Sequence, residues 1–362
     1  MGGKRRMKKF MKIFLLIIAV IVAVIVGLVG TLLIKNKIAT QKPYYKDDYY
    51  RDFVSDCALE QTYAGTGAYE VSGVAYRSEN KTIGNIRIWY PSEMNGSKKS
   101  YPLIVVTNAS NTAALNYKPF FERLASWGFV VIGNDDRQAG TGKSTSETLD
   151  YILALNADPD SIFYGKINEE KIGCVGYSQG GAGAINAVTK FENSPMFSSL
   201  FTGSAAYPLL SANMGWSYDA SLISIPYFMT AGTGTSDDTG VADIYAEFGG
   251  ISPLAALIGN YEAITANTWK VMARVTGAEH EEMLQKTDGY MTAWMLFTLC
   301  VDSQAEKVFA GEDAELKING SWQDIAIRQP EQSRSGQKDC CPIRSNPFIV
   351  PLLYRNKMVK YL

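Results

Sequence analysis

Histidine is almost absent from this chain: His280 is the only one in 362 residues. Any reaction that needs an imidazole therefore has a single candidate base, and a site built from several histidine ligands is excluded. Cysteine is sparse and odd in number, at Cys57, Cys174, Cys300, Cys340 and Cys341. That set excludes a disulfide-framework fold, and no spacing within it matches a metal site. A Cys57–Cys300 bridge stays open for a domain outside the cell. Net charge is also nearly absent, at −1, yet it is unevenly spread: residues 1–68 carry +6, residues 329–362 carry +4, and the stretch between carries −11. An acidic centre excludes nucleic acid as its partner, because phosphate binding needs clustered Lys and Arg. Gly142-Lys143-Ser144 looks like the end of a phosphate-binding loop, but the first glycine of that motif falls on Arg137, so the match fails.

Long apolar runs are confined to one place. Ile13 to Ile34 is 22 residues without a charge, which as a helix spans roughly 30 Å, the hydrocarbon thickness of a bilayer. Lys4, Arg5, Arg6, Lys8, Lys9 and Lys12 precede it, against Lys35 and Lys37 after it, so the positive-inside rule puts the N-terminus in the cytoplasm and the remainder outside. A cleaved signal peptide, which would leave a secreted protein, calls for a shorter apolar region and small residues at its end; Leu32-Leu33-Ile34-Lys35 does not supply them. The expected organisation is a basic cytoplasmic segment (1–12), a transmembrane helix (13–34), a polar, tyrosine-rich stalk (35–68), a catalytic domain (69–328) and an irregular basic tail (329–362).

Within the domain, two alternating segments (69–76 and 83–90) open a β pattern. Buried-type strands follow at 103–106, 129–132, 171–175, 201–206, 227–230 and 269–275, with helical spacing at 117–127, 144–156, 179–189 and 289–301. Strands alternating with helices predict an α/β fold whose mostly parallel central sheet is flanked by helices.

Gly176-Tyr177-Ser178-Gln179-Gly180 is a G-x-S-x-G sequence between a predicted strand and an Ala-rich predicted helix. That context makes it a nucleophile elbow, with Ser178 presented above the sheet. A serine hydroxyl needs a base, and His280 follows the strand 269–275, where a side chain reaches the sheet's C-terminal edge. The acid belongs after a strand between them. Pro226–Asp238 supplies one, with Asp237 first, Asp238 as the alternative and Asp243 a distant third. The order Ser, acid, His is the one such hydrolases use. Two backbone N–H donors are expected for the oxyanion, Gln179 and, from the loop after the third strand, Ser110, with Asn111 as the alternative. Tyr207 and Trp216 are candidates to line an acyl pocket. No metal and no cofactor is called for.

With these residues in hand, the chain resembles a dienelactone-hydrolase-type α/β-hydrolase, on the branch of bacterial cutinases and polyester hydrolases. The stretches 120–136, 171–188, 226–238 and 276–280 carry the resemblance, which covers roughly 69–327. It implies a Ser-His-Asp ester hydrolase with Ser110 at the second oxyanion position and Asp237 near the acid. Polyester-degrading relatives carry an aromatic residue at that oxyanion position and a tryptophan after the strand that follows the elbow. Here these are Ser110 and the Ala205-Ala206-Tyr207 neighbourhood, so an aromatic clamp is not implied. The expected partner is a small-molecule or lipid-like ester, with the membrane engaged through the N-terminal helix. The competing readings are acyl transfer or amide hydrolysis by the same triad, a non-catalytic binding module on the same fold, and a cytoplasmic enzyme.

Overall fold

A computed structural model describes residues 2–41 and 45–331. The first element, α1 (Gly2–Gln41), contains a stretch, Met7–Lys35, long and apolar enough to cross a membrane. Its apolar side chains are exposed along their length, and it is hydrophobic around its whole circumference.

Among the described residues the chain forms a nine-stranded sheet in the order β1-β2-β4-β3-β5-β6-β7-β8-β9. The strands are β1 (Val71–Arg77), β2 (Asn85–Pro91), β3 (Tyr101–Thr107), β4 (Val130–Asn134), β5 (Ile167–Tyr177), β6 (Ser199–Gly203), β7 (Tyr227–Gly232), β8 (Lys270–Val275) and β9 (Trp322–Arg328). From β4 to β8 the neighbours run parallel; β1 and β2 at one edge and β9 at the other pair antiparallel. This is the expected α/β-hydrolase sheet, with one addition. The 322–328 segment, not anticipated as a strand, closes the edge beside β8.

Parallel strands need crossovers, and helices supply them on both faces. Alternation along each strand divides the core: Ile104, Val106 and Val175 face α3 (Lys118–Ser126) and α8 (Met283–Cys300), whereas Leu103, Val105 and Cys174 face α4 (Lys143–Ala157), α5 (Gln179–Ala187) and α7 (Leu254–Ala263). All six of these strand side chains are buried, each aliphatic one contributing roughly 1.5–3 kcal/mol. Cys174 is one of the sheet's packing residues, and burial pushes its thiol up to about 12. Cys57, Cys174 and Cys300 are free thiols, so the Cys57–Cys300 bridge is not formed.

The segment expected to be a stalk is corrected by the structure. From Tyr45 onward it packs into the domain through α2 (Ala58–Ala64), with Tyr49, Glu60, Tyr63 and Ala64 buried. Tyr49 donates its hydroxyl to the Asp288 carboxylate, which Arg123 also grips. The same guanidinium donates to Tyr63 O at 2.8 Å. Glu60 accepts from Trp322 Nε1 at 2.7 Å and from Asn319 Nδ2 at 2.8 Å. A buried carboxylate needs a cation or a set of donors: Asp288 has Arg123, and Glu60 has Trp322 and Asn319. Tyrosines at 45, 49 and 63 read as a polar stalk because their partners lie more than 200 positions away or, for Arg123, in α3. The compact unit ends at Pro330, and the basic tail expected from 329 lies, from residue 332, outside the described residues.

Candidate active site

The elbow is built where β5 turns into α5. Ser178 has φ 57° and ψ −125°, a strained conformation for a residue with a Cβ, costing about 1–3 kcal/mol that the surroundings must offset. They hold it from both sides: Ser178 N donates to Gly203 O at 3.0 Å, and Ser178 O accepts from Gly181 N at 2.9 Å. The motif's glycines are needed for clearance. A Cβ on Gly176 would sit 2.1 Å from Gly180 O, and one on Gly180 would sit 2.2 Å from Thr107 O.

Ser178 and His280, 102 positions apart, meet at 2.9 Å between Oγ and Nε2. On the other side of the ring, His280 Nδ1 lies 2.6 Å from Asp237 Oδ1. Asp237 is fully buried, and its second oxygen accepts from Gly232 N at 2.7 Å and from the Ser204 hydroxyl. A carboxylate out of water is tolerable only when so surrounded by donors. Its neighbour Asp238 turns away to Arg274 Nη1 at 2.5 Å and accepts from the amides of Gly240 and Leu254. Burial works against the Asp238 charge, but those amides and the guanidinium together hold its carboxyl below the usual carboxylate range. Asp243 caps the exposed turn at Tyr245 and Ala246. Of the three acids anticipated, Asp237 is the one at the histidine.

The loops carrying acid and base are fastened together. Ser236 N donates to Glu279 Oε2 at 2.9 Å, the Ser236 hydroxyl donates to the same carboxylate, and His280 N donates to Ser236 Oγ at 2.8 Å. The hydroxyl and the amides of Ser236 and Thr235 hold the Glu279 carboxyl below its ordinary value. The Tyr177 ring stacks on the imidazole, with centroids 5.0 Å apart and planes at 26°. Neither the Ser236–Glu279 clasp nor Ser204 carries a sequence signal: each is a common polar residue whose role depends on a fold contact.

Ser178 and His280 open into a cleft of about 310 Å³ that also takes in Ser110, Tyr117, Tyr177, Ile251, Leu284 and Tyr45. This is the size of a small-ligand site, mostly apolar with a few polar groups. Gln179 begins α5, where helix amide N–H groups and the dipole favour negative charge. Ser110 is exposed at the cleft. The alternative Asn111 is engaged elsewhere: its N–H donates to Arg137 O at 2.9 Å and its carbonyl accepts from Arg137 Nη1 at 2.5 Å.

Two expectations are overturned. Tyr207 is buried against Ile244 and Ala256 and does not line the cleft. Trp216 packs over Gly140 and accepts from Asn186 Nδ2 through its carbonyl. Both lie after β6, on either side of α6 (Pro208–Asn213), and pack there rather than into the cleft. The cleft's aromatic wall is Tyr45, Tyr117 and Tyr177 instead. A larger cleft, about 400 Å³, lies beside Asp52, Glu60 and Trp322 and holds neither Ser178 nor His280. Among the described residues no three His, Cys, Asp or Glu side chains are grouped as metal ligands would be.

Residues 53–197 match the family model for PETase, described as PET hydrolase-like. The resemblance to the cutinase and polyester-hydrolase branch therefore holds over that span, which starts inside the segment expected to be a stalk. It takes in Ser110, Ser178 and Gln179 but stops before Asp237 and His280. No curated protein matches the chain.

Proposed function

We propose that this chain, an α/β-hydrolase PETase-like over residues 53–197, is a membrane-anchored serine hydrolase that cleaves carboxylic esters through an acyl-enzyme. The observation that carries the reading is the relay Ser178 Oγ to His280 Nε2 at 2.9 Å and His280 Nδ1 to Asp237 Oδ1 at 2.6 Å. Ser178 Oγ attacks the ester carbonyl while its proton passes to His280 Nε2, and Asp237 holds the ring in the tautomer that can accept it. The tetrahedral oxyanion takes hydrogen bonds from the amides of Gln179 and Ser110. His280 returns the proton to the departing alkoxide, which leaves as alcohol. Water then attacks the acyl-serine, giving its proton to His280, and the carboxylic acid departs as Ser178 regains its proton. Every step is served by groups of this chain, with no cofactor.

The uncharged run 13–34 within the membrane-length stretch Met7–Lys35, with six Lys and Arg just ahead of it against Lys35 and Lys37 just after, supports an N-terminus in the cytoplasm and a catalytic domain outside. Ser110 rather than an aromatic stands at the oxyanion position, and neither Tyr207 nor Trp216 lines the cleft, so the substrate class is ester without restriction to aromatic polyesters. A fluorophosphonate probe, which reacts only with an activated serine, tests the reading. The wild type should label and Ser178→Ala should not; well-folded wild-type protein that stays unlabelled would refute it. Protease accessibility on intact cells tests the orientation.

A further inference from the structure

The chain that leaves the apolar helix returns at once to the catalytic cleft. Lys35 ends the membrane-length stretch, and ten positions later Tyr45 is part of the wall over Ser178. Tyr45 is not loosely laid there. Its hydroxyl donates to Glu281 O at 3.0 Å, next to the catalytic His280. Its ring stacks on Tyr49 at 5.1 Å between centroids, and Tyr49 is buried and bonded to Asp288. Because α1 continues to Gln41, the six residues after Lys35 rise about 9 Å and the last four to Tyr45 span at most about 14 Å, about 23 Å in all. A domain of this size has a radius of gyration near 19 Å, hence a diameter of about 50 Å. The rim of the cleft must therefore lie on the membrane-facing half of the domain.

A second feature, in the loop that leads to the cleft wall, points the same way. Ile251 lines it, and the loop leading to Ile251 exposes two aromatics, Tyr245 at 78% and Phe248 at 59%. Exposed rings on a loop tip are costly in water but are the residues enriched at a membrane–water interface.

We propose that the cleft opens onto the bilayer to which the chain is anchored, and that its substrate is an amphiphilic ester resident in that bilayer, with the acyl chain lodged against Tyr45, Tyr117, Ile251 and Leu284. This rests on the ester-hydrolase and membrane-anchor reading above and adds the source of the substrate. Anchoring then raises the local concentration of ester at Ser178, and the short tether sets how strongly.

The test uses the full chain reconstituted in phosphatidylcholine vesicles with one-fifth phosphatidylglycerol, and two esters: 4-methylumbelliferyl oleate, which partitions into the bilayer, and water-soluble 4-nitrophenyl acetate. Inserting about thirty Gly/Ser residues after Lys42 makes the tether about fourfold longer, and effective concentration falls as roughly the −3/2 power of length, so oleate turnover should drop about eightfold. The Tyr245→Ser/Phe248→Ser pair should also lower oleate turnover several-fold. Neither variant should alter acetate turnover or fluorophosphonate labelling. Oleate turnover that is unchanged in both variants, or a wild type that cleaves acetate but not the bilayer ester, overturns the inference and leaves the hydrolase standing. Failure of well-folded wild type on both esters overturns the hydrolase and this inference with it.

Discussion

Asp237 and Asp238 are adjacent in sequence and opposed in use: one carboxylate meets His280 Nδ1 at 2.6 Å, the other meets Arg274 Nη1 at 2.5 Å. Their substitution should separate catalysis from stability. Asp237→Asn presents the wrong hydrogen-bonding face to the ring and should lower kcat about ten-thousandfold. Asp238→Asn should leave kcat close to wild type and cost about 1.5–3 kcal/mol through weakened hydrogen bonds to a charged group. Steady-state kinetics beside urea unfolding checks both arms.

The same acid predicts a pH signature. A carboxyl whose folded-state pKa lies below its unfolded value, about 4, contributes its stability above that value and loses it as pH falls through the folded one. Asp238 is depressed in this sense. The stability gap between wild type and Asp238→Asn should therefore be full at neutral pH and should close only below about pH 4. Unfolding free energies measured across the acid range check it; a gap that persists unchanged at the lowest folded pH contradicts it.

Ser110 is assigned through its backbone, so its side chain should be dispensable. Ser110→Ala should retain near-wild-type kcat, whereas Ser110→Pro, which removes the N–H, should lose about 100- to 1,000-fold. A thermal melt of each variant separates loss of the donor from loss of the fold.

Arg123 and Asp288 are buried together beneath Tyr49. Arg123→Met should destabilise the domain by about 3–5 kcal/mol, because a buried carboxylate is left without its cation. Tyr49→Phe should cost about 1–3 kcal/mol, which a detached stalk would not show. Chemical denaturation of the full chain measures both.

Much of this was legible in the sequence for local reasons. The elbow is a contiguous motif whose glycines answer to clearances of about 2 Å. His280 was found by elimination, since the chain offers no other imidazole. Asp237 comes first after the turn, and its carboxylate is the one beside the imidazole, while that of Asp238 meets Arg274. What stayed hidden depends on contacts distant in sequence. Ser204 reaches Asp237 from just beyond the end of β6, and Glu279 clasps Ser236 across two loops. Tyr45 and Tyr49 looked solvated because their burial depends on α8 and its flanking turn. Tyr207 and Trp216 pack against Ile244 and Gly140 instead of the cleft, because aromatic character alone does not distinguish a pocket wall from a packing residue.

The central claim is that Ser178 becomes covalently acylated. Rapid mixing of the full chain with 4-nitrophenyl acetate, followed by acid quench and peptide mass spectrometry, tests it most directly. The account predicts a burst of nitrophenol matching the enzyme concentration and an acetyl group on the peptide containing Ser178, absent in Ser178→Ala. Turnover in which the acetyl group sits on another residue, or an equal burst from Ser178→Ala, would contradict it.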